Sequence, residues 1–164
     1  MTPEGRAAAS GDREHPLASN AASSVINRFY SLRDTNTGNS VAATWSTIAE
    51  SNLTDATNTL YTGSGSGFYV TLTNAGEKAV NAPLTVAGYT YFGTNQPANP
   101  QNNPNMCYPN LGVARTYSVG FLTGVGQNPD RSVMLDGGGF PPSSVYGVVL
   151  VNNGNGGTTP VPVC

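Results

Sequence analysis

"NRFYSLRDTNTG" at residues 27–38 and "ARTYSVGFLTG" at residues 114–124 are two versions of one phrase. In each, an arginine, a variable residue, tyrosine and serine are followed by an aliphatic residue and later by a closing Thr-Gly pair. Aromatic and aliphatic residues that run into a glycine are typical of a strand that ends in a turn. The sequence therefore predicts a strand-and-turn unit that is used more than once.

Three pairs of equivalent positions define this repeat. They are Arg28 and Arg115, Tyr30 and Tyr117, and Gly38 and Gly124. The arginines and the tyrosines are 87 residues apart, which is close to two propeller blades of about 40–45 residues each. We therefore predict antiparallel sheets arranged as a partial β-propeller, about two blades plus flanking strands, over residues 25–164. Chance similarity between two strands is the alternative.

The composition limits the class of protein. The 164 residues suffice for one domain with a core, and only 10% of them are charged, against about 25% in typical globular chains. Glycine and proline together number 32, which favours turns over helices. Seven basic residues against nine acidic ones form no basic patch, so nucleic-acid binding is not expected. No apolar run reaches the roughly 18 residues of a membrane span.

Periodicity predicts eight or nine short strands, and hence an all-β fold. Residues 1–24 show no pattern and are predicted to be a flexible or loop-like leading segment. The interval 49–67 is ambiguous and has room for a short helical turn. The predicted strands are 25–32, 41–48, 68–72, 79–87, 89–94, 112–122, 131–135 and 145–152, with a tight hairpin between the fourth and fifth. The last is nearly all apolar, so we expect it to be buried on both faces.

A proline-rich segment and two cysteines complete the pattern. Residues 95–109 contain four prolines and five asparagines, which predicts a long loop or an exposed flap. The low charge and the many threonines and asparagines fit an exported protein, in which Cys107 and Cys164 can form a disulfide. Two unrelated thiols are the alternative.

Several phrases occur in an order that resembles a known family. The chain contains "GDREHPL", "NRFYSLRD", "GFYVTL", "GEKAVNAPLTVAGYTYFGTNQP", "NLGVARTYSV" and "GGGFPPSSVYG". In this order they resemble the C-terminal β-propeller of the PilY family, the large type IV pilus assembly and tip-adhesin proteins. The resemblance runs from about Gly11 to the end. It includes an aromatic residue at Tyr69, the turn 76–78 and the "F-x-T-N-x-P" pattern at 92–97.

The resemblance implies an extracellular protein of the bacterial surface and its fimbria. Members of the PilY family cap or prime the pilus with minor pilins, oppose retraction and contribute to adhesion. The partners it implies are minor pilins or the remaining propeller blades, and exposed blade edges or the loop 95–110 would allow docking or self-association. Cys107 and Cys164 also fall where the family places cysteines, which favours the disulfide.

No cofactor is expected. Some propellers of the family hold calcium in a loop with acidic residues at alternating positions. The nearest match here, residues 34–38, offers one carboxylate, Asp34. Because calcium takes six to eight oxygen ligands with several carboxylates, we interpret this segment as a plain turn.

The candidate catalytic residues form no recognisable pattern, so we do not expect an enzyme. The single histidine, His15, lies beside charged residues in a turn-like stretch, and a Ser-His-acid triad would have to use it. A hydrolase built on His15 and a nearby acid is the alternative. Glycosidase chemistry would need two carboxylates about 5–10 Å apart, and nothing in the sequence pairs the candidate acids, among them Glu50, Asp55, Glu77, Asp130 and Asp136.

Aromatic residues suggest one more alternative, a carbohydrate-binding module. Such residues could form a stacking face, although tyrosine in sheets more often packs across strands. The candidates are Trp45, Tyr61, Phe68, Tyr69, Tyr89, Tyr91, Tyr108 and Tyr146.

Overall fold

A computed structural model describes residues 26–34, 47–98, 111–127, 129–154 and 156–163. These residues form ten strands and one short 3-10 turn, Glu50–Asn52, so the predicted all-β class and the helical turn in the ambiguous interval are confirmed. The strands are β1 Arg28–Leu32, β2 Thr54–Asp55, β3 Gly67–Thr71, β4 Lys78–Ala79, β5 Leu84–Val86, β6 Tyr89–Gln96, β7 Val113–Gly120, β8 Ser132–Leu135, β9 Gly147–Asn152 and β10 Thr158–Val163.

The strands form three sheets. The first has the order β1-β3-β2, with β1 antiparallel and β2 parallel to β3. The second is antiparallel, with the order β4-β6-β7-β8 and with β5 also paired to β6. The third is an antiparallel pair, β9 and β10, which we call the apolar ribbon. The strands are thus paired almost entirely in antiparallel fashion, as the sequence predicts.

The core lies between the first two sheets and is rich in aromatic rings. Phe29 of β1 stacks on Phe92 of β6 with ring centroids 5.0 Å apart, and Phe92 stacks on Tyr117 of β7 at the same distance. Phe68 of β3 is fully buried and packs against Tyr61. Stacked aromatic pairs add to the free energy gained by burial. The Phe29–Phe92 contact joins the two sheets, whereas Phe92 and Tyr117 are neighbours across two strands of the second sheet.

The predicted tight hairpin is confirmed between β5 and β6. Val86 pairs with Tyr89, and a two-residue turn, Ala87-Gly88, connects the strands. Both turn residues have positive φ, +50° and +89°, which is the geometry of a type I′ turn. Glycine adopts this region freely, whereas alanine does so at a cost.

We expect Ala87→Asn to stabilise the protein by about 0.5–1 kcal/mol, because asparagine tolerates positive φ and Asn-Gly is the preferred type I′ pair. The urea midpoint at constant slope measures the change. Ala75→Asn is the control, since Ala75 is exposed and lacks positive φ. A midpoint for Ala87→Asn that is equal to or below the wild type would contradict this reading of the turn.

Two predicted boundaries are wrong near the middle of the chain. The predicted strand 79–87 is two short strands, because Pro83 has no N–H to donate and the Asn81 side chain takes over the pairing. The Asn81 side chain accepts a bond from the Gly93 N–H at 2.7 Å and donates one to the Pro142 carbonyl at 3.0 Å. The predicted loop from residue 95 begins later, because β6 continues to Gln96 alongside β7.

The prediction that residues 145–152 are buried on both faces is also wrong. Val148, Val149, Leu150 and Val151 are between 47% and 64% exposed. The physical reason is that β9 pairs with β10, and no other strand among the described residues lies beside β9. Strand β10 was not predicted, because Pro160 and Pro162 interrupt the residue pattern that is typical of a strand.

Some predictions concern residues outside the described ranges. They include the leading segment 1–24, most of the predicted strand 41–48 and most of the loop 95–110. Within the described ranges, no helix is long and apolar enough to cross a membrane.

Candidate functional site

The outer face of the first sheet carries a cluster of polar and aromatic side chains. Tyr30 of β1 lies directly across from Tyr69 of β3, with ring centroids 6.1 Å apart. The Arg28 guanidinium lies over the Tyr69 ring, 5.1 Å from its centroid. The Glu50 carboxylate accepts a 2.6 Å bond from the Tyr30 hydroxyl and lies 3.3 Å from the Arg28 guanidinium. We call these residues, with Asp55, the tyrosine face.

Desolvation and hydrogen bonds shift the pKa values on the tyrosine face. Partial burial raises the pKa of Tyr30, and its bond to Glu50 raises it further. Desolvation raises the pKa of Tyr69, and the adjacent Asp55 carboxylate adds to the effect. Bonds from Thr57 lower the pKa of Asp55. At neutral pH the face therefore offers hydroxyl donors, ring surfaces, a cation and an ionised Asp55, an arrangement suited to binding.

Glu77, in the turn before β4, carries a buried carboxylate. Glu77 is 1% exposed, and its oxygens accept bonds from the Thr94 hydroxyl at 2.5 Å and the Asn74 amide at 2.6 Å. The Tyr117 side chain lies near this carboxylate, and burial first, then Glu77, raises the pKa of Tyr117. The Asn27 amide donates to the Glu77 main-chain carbonyl at 2.8 Å. This carboxylate is sealed from solvent and acts as a structural acceptor.

An open depression of about 560 Å³ lies over Arg131. The Arg131 guanidinium donates to the main-chain carbonyls of Ala56 and Gly124, at 2.6 Å each, and to that of Thr57. Burial lowers the pKa of Arg131. Because its donors are committed to carbonyls, the arginine holds two loops together and leaves little capacity to bind an anion in the depression.

The two outer edges of the apolar ribbon differ in the backbone hydrogen-bonding groups that they present. The Asn153 N–H donates to the Gly157 carbonyl at 3.0 Å, and the register continues in steps of two, so Val151–Thr159 and Val149–Val161 are also hydrogen-bonded pairs. The intervening residues of each strand direct their N–H and C=O groups away from the partner. On β10 two of these residues are Pro160 and Pro162, which have no N–H.

The outer edge of β9, in contrast, keeps its hydrogen-bonding groups. Val148, Leu150 and Asn152 lie opposite Pro162, Pro160 and Thr158. Their N–H and C=O groups therefore face away from β10, on the side where the described residues place no strand. The exposed apolar side chains of β9 flank this edge on both faces of the ribbon.

The two copies of the repeat lie in unlike surroundings. Arg28 and Tyr30 lie on the partly exposed outer face of an edge strand, whereas Tyr117 is buried in the core on an interior strand. Arg115 donates to Gln96 at 2.9 Å. Gly124 has φ +70° in the turn after β7 and packs against the Phe68 ring, as expected for a closing glycine. Gly38 lies outside the described residues.

The remaining candidate residues lie in different parts of the structure. Glu50 and Asp55 both lie on the tyrosine face, the first beside Tyr30 and the second beside Tyr69. Glu77 is buried, Asp130 borders the depression and Asp136 lies in a turn after β8. Tyr61 and Phe68 belong to the core and cannot form an exposed platform. The candidates outside the described residues are His15, Trp45, Cys107, Tyr108 and Cys164, together with positions 35–38 of the predicted turn.

Two important residues were not singled out by the sequence. Arg131 belongs to no recognisable motif, and its role depends on joining the nearby Gly124 carbonyl to those of Ala56 and Thr57, more than seventy residues away. Thr94 was noted only as part of a family phrase, although it donates to Glu77. Within the described ranges, no group of three or more His, Cys, Asp or Glu residues could hold a metal ion.

Comparisons of the chain with protein-family models, with curated proteins and with solved structures gave no match.

Proposed function

We propose that this chain is part of a PilY-like protein, a partial β-propeller of about two blades plus flanking strands that is exported to the bacterial surface. It acts without catalysis, through protein contacts in type IV pilus assembly and adhesion, with minor pilins or the remaining blades as partners. The family phrases support this proposal, among them "GDREHPL" and "GGGFPPSSVYG". The all-β fold is compatible with it.

The observation that carries the association mechanism is the apolar ribbon. Four consecutive residues of β9, Val148 to Val151, are about half exposed or more. Exposed apolar surface of this kind marks sites of protein contact, because its burial in a complex removes it from water. The chain from residue 137 to residue 164 also contains no Asp, Glu, Lys or Arg. A partner can therefore cover the ribbon without desolvating a charge.

Direct binding to minor pilins tests the proposal. We expect the immobilised chain to bind a purified minor pilin of the source bacterium in a saturable manner, measured by surface plasmon resonance, and to bind the major pilin more weakly. Val149→Lys should weaken this binding at least about tenfold, because it places an unpaired charge in the contact.

Thr62→Lys is the matched control, since it adds the same charge at an exposed position in the segment before β3. Its affinity should stay close to that of the wild type. Failure of every minor pilin to bind, or equal losses in the two lysine variants, would count against the proposal.

A carbohydrate-binding module is the second candidate, and the tyrosine face favours it. Tyr30, Tyr69 and Arg28 lie beside the carboxylates of Glu50 and Asp55, which supplies ring surfaces with adjacent donors and acceptors. Saturable glycan binding that Tyr69→Ala removes, and that Val149→Lys leaves unchanged, would support this candidate over the first.

A further inference from the structure

The outer edge of β9 differs from the other sheet edges in the described chain. Edges that avoid pairing are short, charged or interrupted by proline. Strand β2 has two residues and includes Asp55, β5 has three residues, and β1 carries Arg28. Strand β4 includes Lys78, and β8 is flanked by Arg131 and Asp136.

Strand β9 has none of these protections. It is six residues long and contains neither proline nor a charged residue. Its hydrogen-bonding groups at Val148, Leu150 and Asn152 point outward, while the outer edge of β10 is interrupted by Pro160 and Pro162. One side of the ribbon is therefore closed to a further strand and the other side is open.

We propose that the open edge of β9 pairs with the same edge of a second copy of this chain. The two β9 strands run antiparallel about a two-fold axis at Leu150, and the sheet order becomes β10-β9-β9-β10. This inference goes beyond the proposed function, because it does not require that the chain belong to a pilus.

The register of β9 is complementary to itself. With Leu150 on the axis, Leu150 faces its own equivalent, and Val148 faces Asn152 of the second copy. These are the residues whose N–H and C=O groups point outward, so each such pair can exchange two hydrogen bonds. Val149 then lies across from Val151 of the second copy at a closely spaced pair, where β-branched side chains pack well.

Charge also favours a second copy. A two-fold contact brings identical surfaces together, so any charge near the axis would meet its own equivalent. The uncharged run from residue 137 to residue 164 removes this repulsion.

The size of the contact predicts its strength. Stable interfaces bury about 1,200–2,000 Å² in total, whereas six-residue strands that pair at their edges bury less. We therefore expect a weak dimer, with a dissociation constant in the micromolar range or above, which dissociates on dilution.

Sedimentation velocity over a concentration series tests the pairing. The wild type should shift from monomer to dimer as its concentration rises, with no further growth, because the prolines close the outer edges of the four-stranded sheet. Leu150→Pro removes the outward N–H on the axis without removing a bond to β10. We expect it to raise the dissociation constant at least about tenfold, through the loss of two interchain bonds.

Thr158→Pro is the matched control. Thr158 is, like Leu150, at a position whose N–H faces away from the partner strand, so the same substitution falls on the edge that the dimer does not use. Its dissociation constant should stay within about twofold of the wild type. Leu150→Lys is a second test that keeps the backbone donor but places two like charges at the axis.

Hydrogen exchange by NMR gives an independent readout. The Leu150 amide should exchange rapidly in dilute samples and slowly in concentrated ones, whereas the Val149 and Val151 amides, bonded to β10, should be protected in both. A chain that stays monomeric up to millimolar concentration, or dimers unaffected by Leu150→Pro and Leu150→Lys, would overturn the inference.

The outcome separates this inference from the proposed function. A chain that dimerises through β9 but binds no minor pilin retains the inference and loses the proposed function. A chain that binds a pilin while its β9 edge remains unpaired in concentrated solution retains the proposed function and loses the inference.

Discussion

Glu77→Ala is expected to lower the free energy of unfolding by about 3 kcal/mol or more. The substitution removes the acceptor for two side-chain donors, those of Thr94 and Asn74. A buried donor left without a partner costs about 1–3 kcal/mol, and the methyl group of alanine leaves space that these groups cannot fill. The relief of burying a carboxylate offsets part of the loss. Urea denaturation measures the change.

Glu50→Ala is the matched control for Glu77→Ala. Glu50, like Glu77, accepts side-chain hydrogen bonds, in its case from a tyrosine hydroxyl and an arginine, but its side chain is 47% exposed. Water can replace the partners of an exposed group, so we expect a loss of about 0–1 kcal/mol. Glu77→Gln keeps the volume and one acceptor oxygen, and should fall between the two. Equal losses for Glu77→Ala and Glu50→Ala would show that the buried carboxylate has no special structural role.

Phe92→Ala is expected to lower the free energy of unfolding by about 3–5 kcal/mol, the usual range for a buried phenylalanine. Phe92 is the middle ring of the stack Phe29–Phe92–Tyr117, so its removal opens a cavity and breaks two aromatic contacts at once. Because the Phe29–Phe92 contact joins the first two sheets, the loss should appear as a lower midpoint of cooperative unfolding in calorimetry or in urea.

Phe140→Ala separates the loss of packing from the loss of an aromatic residue. Phe140 is 57% exposed, and exposed substitutions usually change stability by less than about 0.5 kcal/mol. Phe92→Leu should recover more than half of the loss, because leucine refills most of the space. A Phe92→Ala protein as stable as the wild type would mean that the two sheets do not share this core.

The strands that the sequence predicted best are those with strong alternation and clear turn residues. The apolar positions Phe68 and Val70 identify β3, and a glycine after an aliphatic run identifies the hairpin before β6. Strand β10 was missed because proline is normally evidence against a strand. Its prolines are tolerated because both occupy positions whose nitrogen faces away from β9.

Sequence similarity between residues 27–38 and 114–124 does not predict the same environment for their side chains. Arg28 and Tyr30 face outward while Tyr117 faces the core. The difference is already present in the intervening residue, which is Phe29 in one phrase and Thr116 in the other. Side chains along a strand alternate between its two faces. Burial of the apolar Phe29 in the core therefore places Tyr30 on the outer face.

The candidate site was less predictable than the fold. Glu77 has the sequence setting of an ordinary turn residue, and its burial depends on Thr94 and Tyr117 arriving from other strands. Glu50 and Asp55 were recognised as acids, but their tyrosine partners become neighbours only when β1 and β2 both pair with β3.

The amino-acid sequence alone determined the all-β class, most strand positions and the tight hairpin, because alternation and turn chemistry act between residues close together in the chain. The tertiary structure decided which acid is buried, which arginine holds two loops and which apolar strand stays exposed. Those outcomes depend on which distant segments share a sheet, and the free energy of burial or hydrogen bonding is set only when those segments meet.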